Sequence, residues 1–172
     1  DYIEINDIPF NPKAVTVTAW FRRKGTSTSS HHIIFSHNDL KVEISVPDAT
    51  GEIRSGVYTP SRTVFNSGSG LVDGNWHMVT MTYGYGKIKS YIDGDFTGEI
   101  AAYGDISLGT LTKIGNYAGY NINGDVCDVR VYDRVLTAEE IKILYKLKMS
   151  SSKVIQSKDG TLYVSGSVRE GM

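Results

Sequence analysis

The residue types that could do chemistry in this 172-residue chain are few: four histidines, one cysteine and scattered acidic pairs. His77 lies in the stretch DGNWHMVTMTYGYGKIKSYIDG, residues 73–94. It could serve as a general base only with a nucleophile or substrate proton in hydrogen-bond reach and a third group to orient the ring. The alternative is that it simply begins a strand. His31, His32 and His37 cluster loosely in HHIIFSH. No acidic spacing around them signals a zinc site, so a polar strand edge is the expectation. Cys127 is the only cysteine, which rules out an internal disulfide and leaves neither a zinc set nor a redox pair.

Glycoside hydrolysis needs two carboxyls roughly 5 to 9 Å apart across the sugar bond. Glu139 and Glu140 stand at the start of a helical segment, where the positive end of the helix accounts for them. Asp125 and Asp128 are three residues apart, so a regular strand sends them to opposite faces. No catalytic residue is assigned, and the chain reads as a non-enzyme. Binding has better candidates. GVYTPSR offers Tyr58 and Arg62, and GNYAGYNING offers Tyr117, Tyr120 and Asn121. Aromatic faces stack on sugar rings, and amide or guanidinium groups bond sugar hydroxyls. The same residue types anchor protein-binding loops, and turn and rim packing explains part of the set without any ligand.

The elements that must position these residues are strands. YIEI places Ile3 and Ile5 opposite Tyr2 and Glu4; AVTVTAWF places Val15, Val17, Ala19 and Phe21 opposite Thr16, Thr18 and Trp20. LKVEISV alternates through Leu40, Val42, Ile44 and Val46. In the 73–94 stretch Val79, Met81 and Tyr83 share a face, GYG turns the chain, and Asp93-Gly94 supplies the next turn. With HIIFSH, GEIRSGVY, LTKIG and DVCDVRVYD, the pattern predicts about nine or ten short strands. TAEEIKILYKLK breaks the period: Thr137 and Glu140 make a capping box, and Ile141, Leu144 and Tyr145 share one helical face. Beyond it, SSS reads as a flexible connection and SKVIQSKDGTLYVSGSV as a hairpin across Asp159-Gly160. Residues 1–148 thus read as one domain and 149–172 as a linker and β-hairpin tail. Two strands cannot make a core, so the tail must pair with the sandwich, a neighbouring subunit or further chain.

Eighteen Lys and Arg against nineteen Asp and Glu leave a formal charge of -1. That balance gives no support for nucleic-acid binding. No apolar run approaches the roughly 20 residues that cross a bilayer, so membrane insertion is not expected. The start at Asp1, without Met or signal peptide, reads as an excised, processed or otherwise partial piece of a longer polypeptide, so localisation is not read from it.

DGNWHMVTMTYGYGKIKSYIDGDFTGE resembles the core of laminin-G-like, concanavalin A-like jelly rolls: Trp-His, an apolar alternation, a glycine turn, then an apolar-Tyr-apolar-Asp-Gly strand end. LTKIGNYAGYNINGDVCDVRVYDRVLTAEEIKILY continues it with Ile-Gly, a loop, the Asp-Val-Arg strand and a short helix. DYIEI and VTVTAWF match the early strands, so the resemblance covers about residues 1–147 in order. It implies an all-β fold, an antiparallel β-sandwich of jelly-roll type, with one short helix and a C-terminal hairpin extension. It implies one cofactor, Ca²⁺, since relatives sometimes use an Asp of the Asp-Val-Arg strand, which matches Asp128 here; hard oxygen ligands suit that ion. The alternative for Asp128 is an ion pair or a loop cap. The sequence departs from the pattern in lacking the family's upstream first strand and in carrying Cys127 before Asp128.

Function is expected from the site rather than the fold. The expectation is a non-catalytic recognition or adhesion module on a virion surface or outside the cell. A phage tail or head decoration protein, binding glycans, a cell-surface receptor or neighbouring subunits, is favoured because the start reads as excised, no disulfide is possible and the tail needs a partner; in style the tail resembles the appended hairpins of phage structural proteins. Homo-oligomerisation through that tail follows from the same reading. The alternative is a carbohydrate-binding module of a secreted bacterial enzyme or adhesin.

Overall fold

Alternation that buries both faces governs β2 (Val15–Arg23), one of the two nine-residue strands. Val15, Val17, Ala19 and Phe21 enter one apolar core, while Trp20 enters a second on the opposite side. The computed structural model describes residues 2–6, 8, 11–25, 30–38, 40–106, 109–147, 155–156 and 162–164. Two antiparallel sheets stack as a jelly-roll sandwich. The first contains β1 (Ile3–Asn6), β3 (His31–His37), β4 (Val42–Pro47), β5 (Ile53–Tyr58), β6 (Arg62–Ser67) and β10 (Leu111–Ile114), in the order β1-β10-β3-β4-β5-β6. The second contains β2, β7 (His77–Gly84), β8 (Lys87–Ile92), β9 (Asp95–Ala101), β13 (Gly124–Tyr132), β14 (Ile155–Gln156) and β15 (Leu162–Val164), in the order β14-β15-β13-β2-β7-β8-β9. A small hairpin joins β11 (Asn116–Tyr117) to β12 (Tyr120–Asn121), and the helix α1 spans Ala138–Leu147.

Between the sheets lie Val15, Val17, Ala19 and Phe21 with Val42, Ile44, Val46, Val79, Met81 and Tyr83, as the alternation predicts, together with the adjacent Ile34 and Phe35, which strict alternation would have separated. A second core forms on the outer side of the seven-stranded sheet, where Trp20, Met78, Tyr91 and Tyr132 receive Leu136 and Ile141. The capping box is present. Glu140 N–H donates to Thr137 Oγ1 at 3.2 Å and Thr137 N–H to Glu140 Oε2 at 2.8 Å. The predicted Asp93-Gly94 turn closes β8 onto β9 with φ of 55° and 81°, the left-handed pair that a two-residue hairpin demands.

Four strands exceed the expected set. β6 and β9 are the edges of their sheets and partly solvent-facing, which dilutes their alternation. β11 and β12 are two residues each, too short to show any period. Leu40 does not continue the β4 alternation: it sits in the preceding turn at φ 64° and faces out of the core. β3 is central in its sheet, so the expected polar edge at His31, His32 and His37 is corrected. His32 and His37 are fully buried there, each with a partner. β15 pairs with β13 through Val129–Val164 and Arg130–Tyr163, and with β14. The Asp159-Gly160 turn and the Ser150–Ser152 connection lie outside the described residues.

Candidate functional site

A cleft of about 270 Å³ opens on the outer face of the six-stranded sheet. Its floor comes from side chains that alternate away from the core: Glu43 on β4, Arg54 on β5 and Arg62 on β6. A bulge in β3 lets Ile34 and Phe35 both join the core while Ile33 faces the cleft beside His31. The wall is the β11–β12 hairpin, which packs on β3 and contributes Tyr117 and Tyr120. Ala118 and Gly119 have φ of 48° and 86°, so the hairpin turns in two residues and sets both tyrosines side by side.

Glu43 organises the floor. It is 2% exposed and its carboxylate accepts from Arg54 Nε at 3.2 Å, from Ser45 Oγ at 2.9 Å and from an Arg62 Nη2. Gly56 stands opposite Glu43 in register. A Cβ there would meet Val64 Cγ1 at 2.5 Å and touch Glu43 Oε2 at 3.4 Å, so the bare glycine makes room for the Val64 side chain beside the carboxylate. His31 accompanies the two arginines, and burial, followed by the Arg54 charge, pushes its pKa down.

Of the residues singled out for binding in the sequence, Arg62, Tyr117 and Tyr120 line this cleft together. Tyr58 pairs with Arg62 across β5 and β6, but its ring lies under the Lys41 ammonium, with Nζ 3.6 Å from the centroid. Asn121 fastens the hairpin by accepting from Asn116 Nδ2. Tyr58 and Arg62 end strands rather than occupy a loop, and the Tyr117 and Tyr120 loop is itself a strand pair. Glu43, Arg54 and His31 complete the cleft. Their signal in the sequence is weak, an outward charge or imidazole at alternate positions on strands whose pairing is not local.

His77 belongs to the other sheet. Its Nδ1 is 2.8 Å from Asp93 Oδ2 and its Nε2 is 3.0 Å from Asp73 Oδ1, so the protonated ring donates to both. Burial opposes the charge, but these two carboxylates outweigh it and raise the pKa above the ordinary 6.5. Asp93 Oδ1 also accepts from Met78 N–H, so the trio ties the entrance of β7 to the β8–β9 turn. Nearby, Trp76 packs on the second core with the Arg22 guanidinium 4.9 Å from its ring centroid.

Asp128 occupies a bulge in β13 at φ 49°. That bulge voids the parity expectation for Asp125 and Asp128. Both are buried; Asp125 pairs with Arg22 and Lys24, and Asp128 with Arg130. Arg130 donates from Nε to Asp128 Oδ1 at 2.8 Å and from Nη2 to Oδ2 at 2.7 Å. Among the described residues no three His, Cys, Asp or Glu side chains come together as a metal set. With both its oxygens on one guanidinium, Asp128 does not fit the open, multi-oxygen shell that Ca²⁺ takes.

The histidines also fix the response to pH. His32 Nδ1 accepts from Asn123 N–H at 3.1 Å, so its Nε2–H donates to Asp48 at 2.7 Å and the ring is neutral. Burial lowers the pKa of His32, and that of His37 to about 4. The unfolded chain takes up these protons near 6.5 while the folded chain does not, so stability falls as pH drops from 6.5 toward about 4. His77 acts oppositely: its contribution is complete below 6.5 and is lost as pH rises through its raised pKa. Thermal melts are expected to show a falling Tm on acidification over that window, shallower in His37→Asn, whereas His77→Gln should lower Tm by a constant amount below pH 6.5 and leave the slope there unchanged. A Tm that holds level or rises down to pH 4.5 contradicts this assignment.

The sequence profile of the concanavalin A-like lectin/glucanases superfamily matches residues 1–142. Comparison with individual curated proteins gives no match. Among solved structures, a protein of Bacteroides ovatus ATCC 8483 assigned a carbohydrate-binding role superposes with a TM-score of 0.70 at 14% identity, over 98% of this chain and 57% of that one. The binding domain of botulinum neurotoxin serotype D gives 0.65 at 17% identity, over 94% and 43%. That of neurotoxin DC in complex with SialylT gives 0.66 at 16%, over 91% and 48%. At these identities the likeness is one of fold, and this chain spans only about half the length of those structures.

Proposed function

Because the chain belongs to the concanavalin A-like lectin/glucanases superfamily, we propose that it is a non-catalytic glycan-recognition module whose ligand sits in the cleft on the six-stranded sheet. The observation that carries this reading is the pairing of Tyr117 and Tyr120 over a floor of fixed polar groups. Tyrosine faces receive the apolar face of a sugar ring, and guanidinium and imidazole groups meet its hydroxyls. The names of two structural relatives, one assigned to carbohydrate binding and one in complex with SialylT, agree with it. A non-catalytic role is favoured because Glu43 is the single carboxylate lining the cleft among the described residues, and hydrolysis by the usual route takes two.

The test is a broad glycan array probed with the multivalently displayed chain, with and without a calcium chelator. Specific, chelator-insensitive binding is expected. Tyr117→Ala and Tyr120→Ala should each weaken it by roughly tenfold, the scale of an aromatic contact. Binding indifferent to both substitutions removes the hairpin from the site; binding lost to chelation returns Asp128 to consideration as a calcium ligand.

A second reading places the chain on a virion, as a tail appendage or head decoration that meets neighbouring subunits through its C-terminal segment. It is favoured by β14, which forms an outer edge of the seven-stranded sheet and can accept a further strand. Truncation after Lys148 separates the two: a glycan module keeps its binding, whereas an assembly protein loses its self-association. The setting in both cases is an exposed surface, extracellular or virion.

A further inference from the structure

We infer that the cleft selects sugars bearing a carboxylate, held by the Arg54 and Arg62 guanidiniums; this rests on the reading of the cleft as a glycan site. Two permanent cations face one anion, Glu43. Each guanidinium carries five N–H donors. Arg54 directs Nε and Arg62 an Nη2 to Glu43, and neither arginine makes a further hydrogen bond or ion pair among the described residues.

Neighbouring charges leave this excess in place. Asp48 is engaged by Arg23 at 3.1 Å and by His32. His31 has its pKa lowered and its Nδ1 lies 2.8 Å from Ser30 Oγ, so it supplies a polar contact rather than charge. Lys41 lies over the Tyr58 ring. Among the described residues lining it, the cleft therefore keeps one positive charge over at neutral pH, and both arginines remain reachable, at 23% and 40% side-chain exposure.

Glu43 is the reason the two can be held together. Its buried carboxylate anchors one donor of each, fixing the guanidinium planes and leaving their other N–H groups to a second acceptor. A planar fork matches a carboxylate in two-point contact, which a hydroxyl cannot reproduce. The volume of about 270 Å³ is at the low end of ligand pockets and suits a terminal sugar rather than the interior of a long chain.

The experiment titrates the full chain, at physiological ionic strength, with matched probes: 3′-sialyllactose and its methyl ester, a glucuronate-terminated disaccharide and its glucose-terminated partner, and a sulfated form of the latter. The carboxylate should bind at least about tenfold more tightly than its ester or neutral partner. The ratio should fall toward one in Arg62→Gln and drop markedly in Arg54→Lys, which keeps the charge beside Glu43 but removes the fork. A melt of each variant establishes that it is folded. Equal affinity for acid and neutral partner overturns the inference and leaves the glycan reading standing. Failure of every probe, together with a blank array, overturns both. A preference that survives both substitutions, or a sulfate that matches the carboxylate, overturns the assignment to this arginine pair acting as a carboxylate fork.

Discussion

Trp20→Ala is expected to lower stability by about 3–5 kcal/mol, a fall in Tm of about 10 °C for a chain of this size. Trp20 is 7% exposed and anchors the second core with Met78, Tyr91, Leu136 and Ile141. Its ring stacks on Tyr145 of α1, with centroids 5.7 Å apart and planes inclined by 20°. Removing the indole therefore takes away both the floor beneath the helix and an aromatic partner, and a ten-residue helix has little stability of its own. Ile141→Val, which deletes one methylene from the same core, should cost only about 1 kcal/mol. Since the cleft lies on the other sheet, glycan affinity measured well below the variant's Tm should match the parent. Denaturant melts and titrations on the same samples check both halves. A loss under 1 kcal/mol for Trp20→Ala would mean that α1 is not part of the cooperative unit.

Glu43→Gln should have the next largest effect, and it should strike stability and binding together. Losing one member of a buried ion network typically costs about 3–5 kcal/mol because a charge is left uncompensated. Here the survivors, Arg54 and Arg62, retain access to water, so about 2–3 kcal/mol is the expected range. The amide keeps the volume but not the charge, and the guanidiniums, now repelling, no longer hold one geometry. Glycan affinity is therefore expected to fall even though Glu43 itself is covered by its partners. Urea unfolding and a titration with the best array glycan read the two effects. Unchanged affinity in a destabilised variant would show that the arginines do not need Glu43 to bind.

Much of the sandwich is legible in the sequence because its signals are local. The β7–β8 alternation, the Asp93-Gly94 turn and the Thr137–Glu140 capping box each depend on residues within a few positions of one another, and the structure contains all three. The edge strands β6 and β9 are not legible, since a partly exposed edge imposes no strict alternation. The bulges in β3 and β13 defeat parity for the same reason: an extra residue at Ile34 or Asp128 shifts every assignment on one side of it. The cleft suffers most. Tyr117, Tyr120 and Arg62 stand out by residue type, but Glu43, Arg54 and Arg62 become neighbours only through the β4–β5–β6 register, and the tyrosine hairpin reaches them through β3. His77 stands out equally in the sequence, and its role in the fold is settled by Asp73 and Asp93, whose approach follows from two turns.

The most direct measurement is an amide chemical-shift map of the labelled chain titrated with the tightest glycan from the array. The largest shifts should cluster at residues 30–33, 43, 54, 62 and 117–120, with Arg54 and Arg62 side-chain Nε signals moving in step. Shifts concentrated instead at the sandwich end formed by Arg23, Lys24 and Val72–Gly74, with the cleft unperturbed, would contradict it.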